Sequence, residues 1–204
     1  VEMLKPKSGE DIYDPTCGSG GMLISSLHHI KQQGGEHRNI GLYGNHNFCI
    51  EQSRGEFLCL FHDHDEHDLR IVSEYVSFLQ QHPQVGVVCS DWDLINDTGE
   101  QIGTRDYRVP PVTPGLTYIG QTIRSGRSSI GVPGAMIRRS ALGDIRFDER
   151  GPIGFGDFVV WFQIAEKAAI GHVNRRLWSW RQHPESQSAR TIESLTHDYY
   201  ENLT

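Results

Sequence analysis

An apolar run, Glu56–Phe61, breaks abruptly into the octad F-H-D-H-D-E-H-D at Phe61–Asp68. With the small Gly55 ahead of it, the run reads as a buried strand, and the octad as a charged loop at that strand's end. The loop carries two carboxylates in a D-x-D arrangement, Asp63 and Asp65. Hard cations of the Mg2+ or Mn2+ type take oxygen ligands and often share them with substrate phosphates. A cation held there would offset the charge of a departing diphosphate. The same residues also read as a solvated acidic loop, because D-x-D is a short pattern that recurs by chance.

The rest of the chain alternates strands with helices. A strand at Asp11–Tyr13 leads to a helix at Gly21–Gln33, closed by Gly34-Gly35. A strand at Ile40–Tyr43 is expected before a helix from about Asn45 to Gln52, with Asn45 or Asn47 as its cap. A helix at Leu69–Gln81 carries Leu69, Val72, Val76 and Leu79 at helical spacing, which predicts a core-facing stripe. Pro83 closes it, and a strand follows at Val85–Ser90. The segment Asn96-Asp97-Thr98-Gly99 has hairpin chemistry. Residues 104–127 read mostly as loop with room for one helix, and a strand at Ala135–Arg138 precedes a short helix capped by Ser140. The helix Asp157–Ala169 shows an apolar face through Val160, Trp161, Ile164 and Ala168, and Trp178 and Trp180 alternate as in a half-buried strand. The pattern predicts an α/β fold with a mixed, mostly parallel Rossmann-like sheet and flanking helices.

At 204 residues the chain is long enough for a sizeable core. Nineteen Lys and Arg against 26 Asp and Glu leave a formal charge of −7, which disfavours DNA, where binding is dominated by phosphate neutralisation. Cys17, Cys49, Cys59 and Cys89 include no C-x-x-C pair; Cys59 and Cys89 lie in apolar runs as small core residues, usage that suits a reducing cytoplasm. No apolar stretch approaches the length of a transmembrane span. The oligomeric state is not legible. The chain begins with Val1, as a fragment would.

Five segments, in order, resemble the family 2 glycosyltransferases, inverting enzymes of the GT-A fold. They are R-N-I-G-L-Y-G-N-H-N-F-C-I-E-Q-S-R-G-E-F-L-C-L leading into the acidic strand; D-H-D-E at Asp63–Glu66, where the family usually has D-x-D-D; V-S-F-L-Q-Q-H-P-Q-V-G-V-V-C-S-D ending at Asp91; G-V-P-G-A-M-I-R-R-S-A-L-G-D-I-R-F-D-E; and G-F-G-D-F-V-V-W-F-Q-I-A-E-K-A with W-S-W-R-Q-H-P-E-S-Q-S. The resemblance implies a metal-dependent transfer of a sugar from a nucleotide-sugar donor to a hydroxyl of a glycan, lipid or protein acceptor. It makes Asp65 a ligand of Mg2+ or Mn2+, and gives Asp63 a share of the ion or a contact to the nucleotide sugar. Asp157 matches the Asp of the family's Glu-Asp pair and becomes the general base, although Gly156 stands where the family has Glu; plain N-capping also suits an Asp there. His183 aligns with a segment that folds over the phosphates and becomes a candidate metal ligand, and Arg181 a candidate phosphate partner; each is also compatible with a purely structural role. The family's usual first strands, which hold base and ribose, have no counterpart here.

Residues 1 to about 44 resemble something else. G-E-D-I-Y-D-P-T-C-G-S-G-G-M-L-I is similar to the S-adenosylmethionine-binding motif of the modification subunit of type I restriction systems, which methylates adenine in DNA. Asp14 and Pro15 end a short strand, and Cys17, Gly18 and Gly20 belong to a tight turn that would bring S-adenosylmethionine against a helix N-terminus. His46 stands where that family has an acid to grip the ribose, and the only Pro-Pro, Pro110-Pro111, lacks the flanking Asn and aromatic of the adenine-holding loop. The resemblance therefore implies a methyltransferase-type βαβ segment without its catalytic half. The expected organisation is this segment at 1–44, a GT-A-like domain at 45–190 lacking its usual N-terminal strand, and a C-terminal helix at 191–204. The two resemblances overlap at I-G-L-Y-G-N-H, which marks the expected seam of a fusion.

Overall fold

The computed structural model describes residues 41–150 and 156–182. The expected N-terminal βαβ segment with Asp14, Pro15, Cys17, Gly18 and Gly20, the residue His183 and the C-terminal helix at 191–204 lie outside the described residues. In chain order the elements are α1 (Gly41–Gln52), β1 (Phe57–Cys59), β2 (Glu66–His67), α2 (Ile71–Gln81), β3 (Val85–Ile95), β4 (Gln101–Arg105), β5 (Val112–Thr113), α3 (Gly115–Ser125), β6 (Ala135–Arg138), α4 (Arg139–Leu142), α5 (Gly156–Ala165) and β7 (Ala169–Arg181).

Two long strands organise everything else. β3 and β7 run side by side in parallel, registered from Val85↔Ala169 to Ile95↔Arg181 over ten partnered positions. β3 reads V-G-V-V-C-S-D-W-D-L-I and is buried at ten of its eleven residues, the signature of a strand covered on both faces. Each long strand has one free edge, and two short antiparallel strands share it. β6 pairs the first half of β3 and β4 the second; β5 pairs the first half of β7 and β2 the second. β1 extends the sheet beyond β6. The α/β class, mixed sheet and flanking helices agree with the sequence reading. Among the described residues, however, parallel pairing is confined to the central pair, and the five surrounding pairings are antiparallel. Connection length accounts for part of this: the β3–β4 link is a tight hairpin, where only an antiparallel return is possible. There the Asn96 Oδ1 accepts from the N–H groups of Thr98 and Glu100, and Gly99 adopts φ +86°.

The sheet separates two apolar layers. On one face, Val87, Cys89, Ala135 and Ile137 meet Ile50 of α1, Tyr118 of α3 and Trp161 and Ile164 of α5. On the other, Val88, Trp92, Leu94 and Met136 meet α2 with Leu177 and Trp178 of β7. Trp178 fits only because residue 134 is a glycine, since a Cβ there would fall on the indole ring. Trp178 and Trp92 pack with centroids 5.0 Å apart, so core packing is the role of this tryptophan.

Three sequence expectations need correction. The expected strand at Ile40–Tyr43 is helical over its described part, because α1 begins at Gly41. Tyr43, His46, Asn47 and Ile50 recur at three- and four-residue spacing and are all buried, a helical face that the apolar I-G-L-Y string disguised. Asn47 locks this face in place: its amide nitrogen donates to the Phe147 carbonyl and its oxygen accepts from the Phe147 N–H, both at 2.9 Å. The stripe of α2 is also rotated from the expected one. Ile71, Tyr75 and Leu79 face the sheet, whereas Leu69 precedes the helix fully exposed and Val72 is about half exposed. The Tyr75 hydroxyl decides this rotation, lying 2.8 Å from both Ser90 Oγ and the Gly134 carbonyl inside the sheet layer. The short helix α4 starts without a side-chain cap, so Ser140 lies within it rather than capping it.

This rotation has a measurable consequence. In chemical denaturation, Leu79→Ala is expected to cost about 2–5 kcal/mol as a cavity in a packed layer. Leu69→Ala should stay within about 0.5 kcal/mol of the parent. Equal losses at the two positions would contradict the observed face.

Candidate functional site

β1 ends at Cys59, Leu60 is buried, and the octad then crosses to β2, which is stitched to the end of β7 by the pairs Glu66↔Ser179 and His67↔Trp178. The octad is thus held at both ends and folded back on itself. Asp65 occupies the inside of the fold, with its side chain at 0% exposure. Its Oδ1 accepts from the Arg181 backbone N–H at 2.9 Å, whereas Oδ2 has no hydrogen-bond partner among the described residues. Burial raises the Asp65 carboxyl towards about 6, partly offset by that backbone hydrogen bond.

Two imidazoles face this carboxylate. His62 Nδ1 lies 3.8 Å from Asp65 Oδ2, and His64 Nε2 lies 3.9 Å from Asp65 Oδ1. One atom from each of His62, His64 and Asp65 falls within 4.8 Å of the others, the one such group found among the described residues. Asp63 stands on the far side of His64, its Oδ1 3.2 Å from His64 Nδ1. The structure therefore brings Asp65 together with two histidines, and Asp63 reaches the cluster through His64. The H-x-H-D spacing at His62–Asp65 was the available signal for the histidines, overshadowed by the D-x-D pattern that shares the same residues.

A layer of rings lies beneath. His62 stacks on His46 with centroids 5.6 Å apart and planes 18° from parallel, and His46 packs on Phe147 and Tyr43. His46 is 1% exposed and neither of its nitrogens has a partner among the described residues. Burial lowers His46 to about 4 and His62 to about 3, so both rings are neutral near pH 7.

Arg181 is committed to the loop. Its Nε donates to the His64 carbonyl at 2.8 Å, Nη1 to the carbonyls of Asn96 and Asp97 at 2.8 and 3.1 Å, and Nη2 to Glu66 at 2.5 Å. The guanidinium expected to meet a phosphate instead clamps the octad to the β3–β4 hairpin. His67 adds a second anchor through Nε2, 2.9 Å from the Pro133 carbonyl.

Asp157 sits in the first turn of α5, its carboxyl raised to about 6 by burial and stabilised by the first N–H groups of the helix. Its Oδ1 is buried without a partner among the described residues. The glycine before it has a steric reason: a Cβ at Gly156 would lie 2.7 Å from Tyr43 Cζ, and the Gly156 N–H donates to the Tyr43 hydroxyl at 3.1 Å. Tyr43 of α1 thus takes the space a Glu side chain would fill. Through Tyr43, His46 and His62, ring contacts link the start of α5 to the octad.

A third polar group lies between the central strands. Asp91 accepts from His172 Nε2 and from the Tyr107 N–H, each at 2.9 Å, and His172 Nδ1 is 3.3 Å from Cys89 Sγ. The order Cys-His-Asp is that of a nucleophilic site, but Cys89 is 1% exposed and burial drives its thiol far above the ordinary range. The group holds β7 to β3.

Residues 1–95 match the family described as N-6 DNA Methylase. The type I restriction enzyme MjaIX methylase subunit of Methanocaldococcus jannaschii is 25% identical over 167 residues, covering 72% of this chain and 29% of that protein. The chain therefore spans less than a third of the curated relative it matches. In three dimensions it is similar to S. aureus TarS 1-349 in complex with UDP-GlcNAc, with a TM-score of 0.57 and 14% identity over 79% of this chain and 46% of that one. The UDP complex of the same protein gives 0.56 and 15%, over 82% and 48%. At such identities the likeness establishes a shared fold. No helix among the described residues is long and apolar enough to cross a membrane.

The buried His46 makes stability depend on pH. Its folded value near 4 lies below its ordinary 6.5, so the unfolded chain takes up this proton first and acidification favours unfolding. His46→Phe, which keeps a ring between Tyr43 and Phe147, should remove that contribution. Between pH 6.5 and 4 the parent is expected to lose on the order of 3 kcal/mol relative to the variant. Parallel stability–pH curves for the two proteins would contradict it.

Proposed function

We propose that residues 41–182 belong to a nucleotide-sugar-dependent glycosyltransferase of the inverting type, acting on a hydroxyl of a glycan, lipid or protein acceptor. The observation that carries this reading is the buried Asp65 carboxylate, presented with one unpaired oxygen immediately before β2. The fold supports it, because the similar TarS structures were solved with UDP-GlcNAc and UDP. A divalent cation bound beside Asp65 would supply positive charge for the departing diphosphate. The donors present fit Mn2+ better than Mg2+, which favours an all-oxygen octahedron, because two of the three are imidazoles.

Asp157 is the base in this reading. The acceptor oxygen attacks the anomeric carbon while the bond from that carbon to the diphosphate oxygen breaks, and the acceptor proton passes to Asp157. A carboxyl raised to about 6 remains ionised at neutral pH yet is more basic than an exposed one, as a general base requires. Arg181 and His67 act on the substrate indirectly, by holding the octad in shape.

A second reading is favoured by one observation, the match of residues 1–95 to N-6 DNA methylases, which includes D-P-T-C-G-S-G-G. In that reading Asp14, Pro15, Cys17, Gly18 and Gly20 hold S-adenosylmethionine in a methyltransferase segment joined to the glycosyltransferase-type domain. The matched region runs on to the end of β3, well past the expected seam near residue 44.

Calorimetric titration of the full chain separates the two. With Mn2+ present, UDP and UDP-sugars are expected to bind, and S-adenosylmethionine is the competing probe. Donor hydrolysis or transfer should fall by about 10²–10⁴-fold in Asp157→Asn, the usual weight of a general base. Asp65→Ala should abolish nucleotide binding. Unchanged turnover in both variants, or heat with S-adenosylmethionine alone, would overturn the glycosyltransferase reading.

A further inference from the structure

We propose that His62, His64 and Asp65 form a binding site for a borderline first-row transition ion, Zn2+ above all, with a coordination position left open. The donors are two imidazole nitrogens and one carboxylate oxygen, all within 4.8 Å of one another. That spread suits a single ion bonded at about 2.0–2.2 Å to each donor after a small inward adjustment. The combination of two histidines and one carboxylate, with a further position for water or substrate, is a zinc chemistry and a poor magnesium one.

The surroundings favour the same conclusion. Asp63 Oδ1 lies 3.2 Å from His64 Nδ1, which assigns the proton to Nδ1 and leaves Nε2, the nitrogen 3.9 Å from Asp65, as an electron-pair donor. A carboxylate behind a ligand histidine is the usual orienting partner in such sites. Asp65 is fully buried and aims its unpartnered Oδ2 at His62 Nδ1. The Arg181 N–H fixes the other oxygen, and the His46 ring fixes the plane of His62. A solvated acidic loop has no reason to bury a carboxylate oxygen against two imidazoles. The site does not depend on the proposed sugar transfer, since the ion can bind with no nucleotide present.

The test uses the whole 204-residue chain, stripped with a chelator and titrated with Zn2+ and, separately, Mg2+, with Co2+ as an optical probe. One Zn2+ per chain is expected, with visible Co2+ bands of a four- or five-coordinate site and no saturable Mg2+ heat. His64→Gln and His62→Gln should each weaken Zn2+ by at least about tenfold, and Asp63→Asn by about 10–100-fold through the lost orienting bond. His82→Ala, a change at a histidine outside the octad, should leave the affinity unchanged and so excludes adventitious surface binding. Circular dichroism of each variant separates a lost ligand from a lost fold. Equal affinity in the parent and the His64→Gln variant, or saturable Mg2+ binding without Zn2+ binding, overturns the proposal. Zn2+ binding without any nucleotide binding would sustain this site while removing the transferase reading; nucleotide binding with Mg2+ alone would do the reverse.

Discussion

The parallel alignment of Val85–Ile95 with Ala169–Arg181 is the interaction on which the rest of the molecule depends. It joins segments about eighty residues apart, so its ladder forms only after the intervening chain has folded back across the sheet. Because both strands are long, each offers two short stretches of free edge, and every other strand except β1 is placed by one of those stretches. The register has bulges between Ser90 and Trp92, where Asp91 and His172 bridge the pair. At the far end the same register delivers the Arg181 N–H to Asp65 and the Arg181 guanidinium to the β3–β4 hairpin. A slip of one residue would turn the Arg181 side chain to the other face of the sheet and release the octad.

The octad therefore borrows its shape from the sheet rather than from its own turns. Left to local preferences, His and Asp side chains would be hydrated, and burying them without partners costs on the order of 1–3 kcal/mol for each group. Here His46, His62, Asp65 and Asp157 all hold buried polar atoms with no partner among the described residues. Such a concentration is unusual in a well-packed interior and characteristic of sites that bind something. Tyr43 and Phe147 stack with centroids 5.5 Å apart beside these rings, and the Arg181 side chain ties the loop down through the His64 carbonyl.

Much of this was legible along the chain, for specific reasons. Val85–Ser90 announces itself as a strand by its apolar run, although β3 continues through Asp91 and Asp93 to Ile95, and Asn96–Gly99 announces itself as a hairpin by its side-chain chemistry. Asp65 and Asp157 stand out as acids at element ends. The rotation of α2 was not legible, because Leu69 and Val72 are as apolar as Ile71 and Tyr75; only the hydrogen bonds of the Tyr75 hydroxyl to Ser90 and Gly134 break the tie. The helix over Asn45–Gln52 was legible, but its first turn from Gly41 was not, nor was its buried face, which includes His46 and Asn47, polar residues that become interior through Phe147, one hundred residues away from Asn47.

By itself the order of residues determined which segments could cross the interior and where charge had to gather, since both follow from local periodicity and from the cost of burying polar groups. It did not determine which charged groups would meet. Asp63 and Asp65 are equivalent in the string, yet one faces water beside His64 and the other lies buried against His62 and His64. That difference was decided by the tertiary structure, because the backbone N–H that donates to Asp65 belongs to Arg181, on a strand that reaches the loop only through long-range pairing.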